Sequence, residues 1–488
     1  MTSQPRQLHI NLNLHSAGSH PAAWRAPEGR PLAAIDIGHF QEVARLCERG
    51  LFDAVFLADI LALTPDISPA PWWSLDPVVL AASMSAVTER VGFILTSSTT
   101  FNFPYNLART FLSLDHVSRG RVGWNVVTSY DERSAPNFGL KKLPPPDERY
   151  AVAADFVAAV LKLWDSWEDG AVVADPSTGV WSDPAKVHAV NHVGPIFSVA
   201  GPLQVPRSPQ GRPLLVQAGS SPRGRDFAAQ YAEAIFNVQQ LKSEAQSYYA
   251  DLKSRARGHG RNPDLIAVLP GLSVVIGGTE AEAWARKEEL DELGGIEQSV
   301  QRFAKRIGID PSALDVDCPV PEHLLEGIRN GAGSAAHGSQ GFADALYVLA
   351  RDRSLTVRQI IARGGGAHRL VVGTPEQIAD TMQEWFVECA ADGFNIMNDI
   401  YPSGLKAFVD HVVPVLQRRG IFRTEYEGRT LRDHYGLLPP PNSFAQAEVL
   451  ETSLSVKTEN PTRSLPPLCP LHPTGISSIF TPISGRLG

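Results

Sequence analysis

Short runs of apolar, β-branched residues alternate with stretches whose apolar positions recur every three to four residues, through most of the chain. A period of two marks a strand and a period near 3.6 marks a helix packed on one face, so the alternation predicts βαβ units around a parallel sheet. Strands are expected over residues 8–14, 54–59, 91–99, 121–129, 213–219, 233–239, 265–276 and 394–399. Helices are expected over 35–49, 76–88, 105–118, 148–167, 222–231, 279–293 and 375–391, with a closing helix over 403–420. Eight strand and helix pairs favour a closed (β/α)8 TIM-type barrel in the α/β class over an open doubly wound sheet.

Three stretches break the alternation. Residues 168–212 are rich in Gly, Pro and Asp, and residues 294–369 separate the helix after the seventh strand from the eighth strand. Both read as large insertions over the C-terminal face of the barrel, where such excursions cover an active-site mouth. The second contains the Gly-rich runs 331–341 and 364–366, flexible enough for a lid. Residues 1–438 therefore read as the barrel, and 439–488, rich in Pro, Ser and Thr without apolar period, as a largely disordered tail.

Composition narrows the partners. With 43% apolar and 20% charged residues the chain can build a large core, and a formal charge of -8 leaves no basic excess for a phosphate backbone. No nucleic-acid partner is expected. The first residues lack the charged-then-apolar pattern of a secretory leader, and no run of 18 apolar residues occurs, so the expectation is a cytoplasmic protein without a membrane span. Cys47, Cys318, Cys389 and Cys469 are far apart, no CxxC or HExxH spacing is present, and His188 and His192, four apart, are flanked by Val, Gly and Pro, so no metal site is expected.

In such a barrel the chemistry sits at the C-terminal ends of the strands. Strand two ends at Asp59, strand three carries Thr96, strand four carries Asn125 and runs into Ser129 and Tyr130, and strand five runs into Gly219, Ser220 and Ser221. In Gln217-Ala218-Gly219-Ser220-Ser221-Pro222-Arg223-Gly224-Arg225 a strand passes through Gly and Ser into a helix opened by Pro, bringing backbone N–H groups, hydroxyls and Arg223 together as a phosphate requires. An ordinary Ser N-cap fits the same residues. Asn125, Thr128 and Ser129 offer groups that could bond the carbonyls and nitrogens of a flavin ring, or simply satisfy neighbouring backbone. His20, Tyr130 and His337 are the proton-handling candidates, though a histidine in a Gly-rich loop is commonly just solvated.

Seven blocks carry a family resemblance: Phe52 to Asp59, Gly120 to Ser129, Asp147-Glu148-Arg149-Tyr150, Asp183 to His188, Gly201 to Gln210, Gln217 to Arg225, and Val413 to Gly420. In order and spelling they resemble the nitrilotriacetate, pristinamycin-synthase and dibenzothiophene-sulfone branch of the bacterial luciferase-like flavin monooxygenases, over roughly residues 8–438. The resemblance implies reduced FMN at the barrel mouth, supplied by a separate NAD(P)H:flavin reductase, and transfer of one oxygen atom from dioxygen to a small organic substrate through a peroxyflavin. It places Asp59 and Thr96 at the flavin ring, Asn125 and Ser129 on the same wall, and Tyr150 with Ser221 at the phosphate; Ser220 and Arg223 are added from the helix-terminus argument. It also implies a homodimer or homotetramer. Pro146, Tyr130 and Ala26 stand where relatives commonly have histidine. Aromatic residues in the early loops, Trp24, Trp72, Trp73, Phe101, Phe103 and Tyr105, point to a hydrophobic or heteroatom-containing substrate, or merely pack those loops. Competing expectations on the same fold are a deazaflavin-dependent hydride-transfer enzyme, a barrel isomerase or hydrolase with a phosphorylated substrate, and a non-catalytic flavin-binding protein.

Overall fold

The computed structural model describes residues 6–63, 67–71, 75–329, 340–365 and 367–445. Eight parallel strands, β1 (His9–Asn13), β2 (Ala54–Leu57), β3 (Gly92–Ser98), β4 (Val122–Val127), β5 (Leu214–Gln217), β6 (Ala234–Asn237), β7 (Ala267–Ile276) and β8 (Gly393–Asn398), pair in chain order and close β8 onto β1. The first seven fall inside the expected segments, and β8 begins one residue early, at Gly393. The helices α1 (Ile37–Arg49), α2 (Pro77–Ser85), α3 (Pro104–Val117), α4 (Pro146–Trp164), α5 (Pro222–Tyr231) and α6 (Lys242–Gly258) surround it. Helix α6 was not among the expected helices; it is the most polar of the six, exposing a face of paired charges such as Arg255 and Asp251, 3.1 Å apart.

The strand period of two sorts side chains between two cores. On β4, Trp124 points outward, its ring about 6 Å from those of Phe111, Phe156 and Trp164 and its Nε1 donating to Ser97 O at 3.0 Å. Burying a side chain of this kind is worth about 2–3 kcal/mol. The next residue, Asn125, faces the barrel interior beside Thr96. Below these polar groups the interior is apolar: Phe56, Ile94, Leu214, Val216 and Leu269 pack with Leu431 and Tyr435 of the C-terminal segment. A Cβ on Gly92 would lie 2.5 Å from Leu431 Cδ1 and 3.0 Å from Asp53 O, so a side chain there would displace the plug's Leu431.

The plug is tied down by charge. Asp53 is fully buried, accepting from Arg423 Nη2 at 2.5 Å and from Ile10 N at 2.7 Å, with His9 Nδ1 at 3.1 Å. Burial alone would raise its carboxyl; Arg423 and His9 overcome that and hold it at about 2. The N-terminal face is thus sealed, leaving the C-terminal strand ends as the mouth.

The two insertions behave differently. Residues 168–212 follow α4, which has already returned the chain to the N-terminal side, and they pack along the barrel's flank against α3 and α4. His192 Nε2 meets Asp155 of α4 at 2.9 Å, Phe197 packs on Phe156, and His116 near the end of α3 meets Pro206 O at 2.8 Å. A groove of about 450 Å³ lined by Phe103, Tyr105, Phe197 and Pro202 lies on this outer flank. The second excursion does cover the mouth, and it starts earlier than residue 294. Helix α7 (Glu280–Gly294) does not return to the N-terminal side: Arg286 pairs with Asp399 after β8, and Asp291 meets His20 after β1 at 3.1 Å. Helices α8 (Ile296–Ile307), α9 (Glu322–Arg329), α10 (Gln340–Ala350) and α11 (Val357–Ala362) follow, then a strand, Arg369–Gly373, parallel to the outer half of β7. Helix α12 (Pro375–Val387), packed through Trp385 on Phe394, is the one that leads back to β8.

The closing helix runs from Ser403 to Arg418 with a π-helical turn at Phe408–Val412. The chain stays packed past residue 438: Asn442 Nδ2 donates to Asp165 O at 2.8 Å, and Phe444 stacks on His188 with centroids 4.8 Å apart. Residues up to Phe444 form one compact unit. The rest of the expected tail from residue 446 lies outside the described residues. No helix among the described residues is long and apolar enough to cross a membrane.

Candidate functional site

The β5–α5 turn builds an anion cradle. Pro222 at the first helical position, with its φ already helical, and Ser221 at the N-cap start α5, and Ser221 Oγ accepts from Gly224 N at 3.1 Å. Helix dipole and free N–H groups make this end positive. The hydroxyl of Tyr150, from α4, is hydrogen-bonded to the side chains of Ser221 and Thr128, and burial raises its phenol above the ordinary value. A Cβ on Gly224 would come within 2.7 Å of that hydroxyl, 3.1 Å of Ser221 Oγ and 3.2 Å of Gly219 Cα, so glycine is what leaves the cradle open. Tyr248 holds the turn from behind, its hydroxyl donating to Gly219 O at 2.7 Å. Arg149 adjoins the cradle through Thr128 O at 3.5 Å, with its Nε buried and without a hydrogen-bond partner.

Of the residues expected here, Ser221 and Tyr150 meet directly, and Ser220 is partly buried on the same turn. Arg223 does not join them. It is 64% exposed and pairs with Asp147 at 2.9 Å, because the first turn of α5 carries residue 223 to the solvent side. The cation that stands beside the cradle is Arg149. Its place in the Asp147 to Tyr150 block was visible, but whether it or Arg223 turns inward depends on how α4 docks on α5.

Beyond the cradle a second polar group lines the upper barrel. Asn125 Nδ2 donates to Thr96 Oγ1 at 2.8 Å, while Asn125 Oδ1 is buried with no partner. A buried unpaired acceptor costs about 1–3 kcal/mol, so this oxygen is placed for a donor that the chain does not itself provide. Ser129 donates to Ser98 Oγ at 2.7 Å and holds φ at 56°, a left-handed conformation rare for serine and concentrated at functional sites. Asp59, just past β2, has its carboxyl pushed up to about 6 by burial and by the neighbouring charge of Asp76.

The proton-handling candidates are dispersed. Tyr130 follows Ser129 at the mouth, 39% exposed; burial and the Asp131 carboxylate raise its phenol. His20 has both ring nitrogens engaged, with Ala22 N at 3.1 Å and Asp291 at 3.1 Å, and joins the β1 loop to α7. His337 lies outside the described residues, as do Trp72 and Trp73. His368 was only one histidine among several in the sequence; it stacks on Phe236 at the end of β6, centroids 5.1 Å apart, with Phe342 against its edge. Burial lowers its imidazole to about 3, so it is neutral. A small cavity of about 30 Å³ lined by His15, Ala58 and Leu75 opens between the ends of β1 and β2.

Known proteins match this arrangement. The family model for luciferase-like monooxygenases covers residues 14–393. Nitrilotriacetate monooxygenase component A from Aminobacter aminovorans is 42% identical over 456 residues, covering 90% of this chain and 99% of that one. N-acetyl-S-(2-succino)cysteine monooxygenase from Bacillus subtilis (strain 168) is 41% identical over 449 residues, covering 91% and 100%. Among solved structures, a riboflavin lyase with modified FMN and riboflavin superposes with a TM-score of 0.76 at 33% identity, over 89% of this chain and 97% of that one. The closed barrel, the cradle and these matches agree: the chain belongs to the luciferase-like monooxygenases and is a reduced-flavin-dependent monooxygenase.

Proposed function

We propose that the chain is the oxygenating component of a two-component system, taking reduced FMN from a separate NAD(P)H:flavin reductase and adding one oxygen atom to a small, heteroatom-containing organic substrate. The observation that carries this reading is the anion cradle of Ser221, Tyr150 and the α5 N-terminus, set beside an inward acceptor, Asn125 Oδ1, that has no partner. These residues suit FMN: a phosphate at one end and donors at the edge of a ring at the other. Two of the relatives are named for nitrilotriacetate, a tertiary amine, and N-acetyl-S-(2-succino)cysteine, a thioether, which supports a nitrogen or sulfur compound as substrate.

Reduced FMN, when bound, supplies the activation of dioxygen. The chain's own part is to bind, orient and exclude water. Ser221, Ser220, Tyr150 and Arg149 hold the phosphate; Thr96, Asn125, Ser129 and Asp59 line the ring; α7 to α11 shield the mouth from bulk water. Tyr130, whose raised phenol keeps its Oη proton at neutral pH, is a donor at the mouth. The test is mass spectrometry of a substrate panel under excess reduced FMN, with reduced deazaflavin in parallel. Coupled addition of one oxygen atom with FMN alone is expected, and Tyr130→Phe should raise uncoupled hydrogen peroxide several-fold. Hydride transfer from deazaflavin, or no oxygen addition to any substrate, would refute the reading.

A further inference from the structure

Helix α8 brings Arg306 over the mouth. Its Nη1 donates to Gly365 O at 2.8 Å, its guanidinium stands 5.9 Å from the ring of Phe342, and Phe342 in turn packs on the edge of His368. Burial and the like charge of Arg302 one turn back both disfavour its charged form, and the Tyr130 phenol, protonated at neutral pH, brings no counter-charge. Among the described residues no Asp or Glu forms an ion pair with Arg306, and one backbone carbonyl accepts from it, whereas Arg121, also without a carboxylate partner, donates to five oxygens. A half-buried guanidinium facing another arginine is unfavourable unless an anion completes the arrangement, and arginine's planar fork matches a carboxylate with two parallel hydrogen bonds.

We propose that Arg306 is a specificity-determining residue of the substrate site and that the substrate of this enzyme carries a carboxylate, held by the Arg306 guanidinium beneath the α8 cover. The proposal rests on the monooxygenase reading above and narrows it: a neutral, wholly apolar compound would leave Arg306 buried without a counter-charge. It also gives Phe342 a role, since the aromatic face beside the guanidinium restricts its swing.

The test uses the full chain and a panel of thioether and tertiary-amine carboxylates, each paired with its methyl ester, with dissociation constants measured by calorimetry in the presence and absence of FMN. For every pair that binds, the acid should bind at least about tenfold tighter than the ester, a difference of about 1.4 kcal/mol. Arg306→Gln should abolish that ratio and Arg306→Lys should restore part of it. Melting temperature and FMN affinity of each variant separate a lost contact from a lost fold. Esters binding as well as acids, no binding of any acid, or an acid preference that survives in Arg306→Gln would overturn the proposal. Absence of FMN binding would count instead against the flavin reading, because the acid-to-ester ratio is read without flavin as well.

Discussion

Replacing Gly224 with Ala separates the stability of α5 from its use as a cradle. Gly224 sits in the first turn of the helix with ordinary helical backbone, so alanine is sterically acceptable to the main chain, and it removes glycine's excess backbone entropy, a gain of up to about 1 kcal/mol in a helix. The new methyl carbon would lie 2.7 Å from Tyr150 Oη, well inside contact distance. The hydroxyl must retreat by several tenths of an ångström, and it cannot swing freely, because the ring packs on Phe227 with centroids 5.8 Å apart. The displaced hydroxyl no longer reaches a phosphate held on the helix N-terminus, and a hydrogen bond to a charged group is worth about 1.5–3 kcal/mol. The dissociation constant for reduced FMN should therefore rise roughly 10- to 100-fold, while the melting temperature stays level or rises. Anaerobic fluorescence titration and calorimetry measure the two quantities on the same sample. An unchanged FMN affinity would refute the placement of the phosphate between Ser221 and Tyr150, and weaker binding together with a lower melting temperature would show that the methyl disrupts the α4–α5 contact as a whole.

Two further outcomes follow from buried carboxylates at opposite ends of the barrel. Asp59 has a folded pKa raised to about 6 from an ordinary 3.8, so its ionisation opposes folding; the cost is absent below pH 4 and complete above pH 6. Asp59→Asn should therefore raise stability by about 1–3 kcal/mol at pH 8 and leave it level at pH 4; equal effects at both pH values in denaturant titrations would contradict this. Asp53 is the reverse case, lowered to about 2 by Arg423 and His9 against the effect of its burial, so its contribution is present above pH 4 and is lost as pH falls through 2. Asp53→Asn leaves Arg423 buried without its counter-charge and should cost about 3–5 kcal/mol at pH 7. A cost under 1 kcal/mol in guanidinium denaturation would show that the plug does not depend on this pair.

Period and turn chemistry determined the barrel. The eight strands were legible because each buries both faces between two cores and is flanked by Gly, Pro or polar residues, a local signal that packing does not override. The cradle was legible for the same reason: Gly219 through Pro222 dictate a strand-to-helix turn, and the N-cap geometry of Ser221 follows from four consecutive residues. Direction was not legible. A helix such as α7 has the same pattern whether it covers the barrel wall or crosses the mouth, and only the pairing of Arg286 with Asp399 shows which. Composition marked the first insertion as an excursion, but its packing along α3 and α4 is visible only in the fold. Arg223 was the cation the sequence offered, and the docking of α4 on α5 leaves it paired with Asp147 on the solvent side while Arg149 stands beside the cradle. Arg306 carries no local mark at all. Its lack of a carboxylate partner is a property of what four separate segments bring together over the mouth, and that distribution of charge in space exists only once the chain has folded.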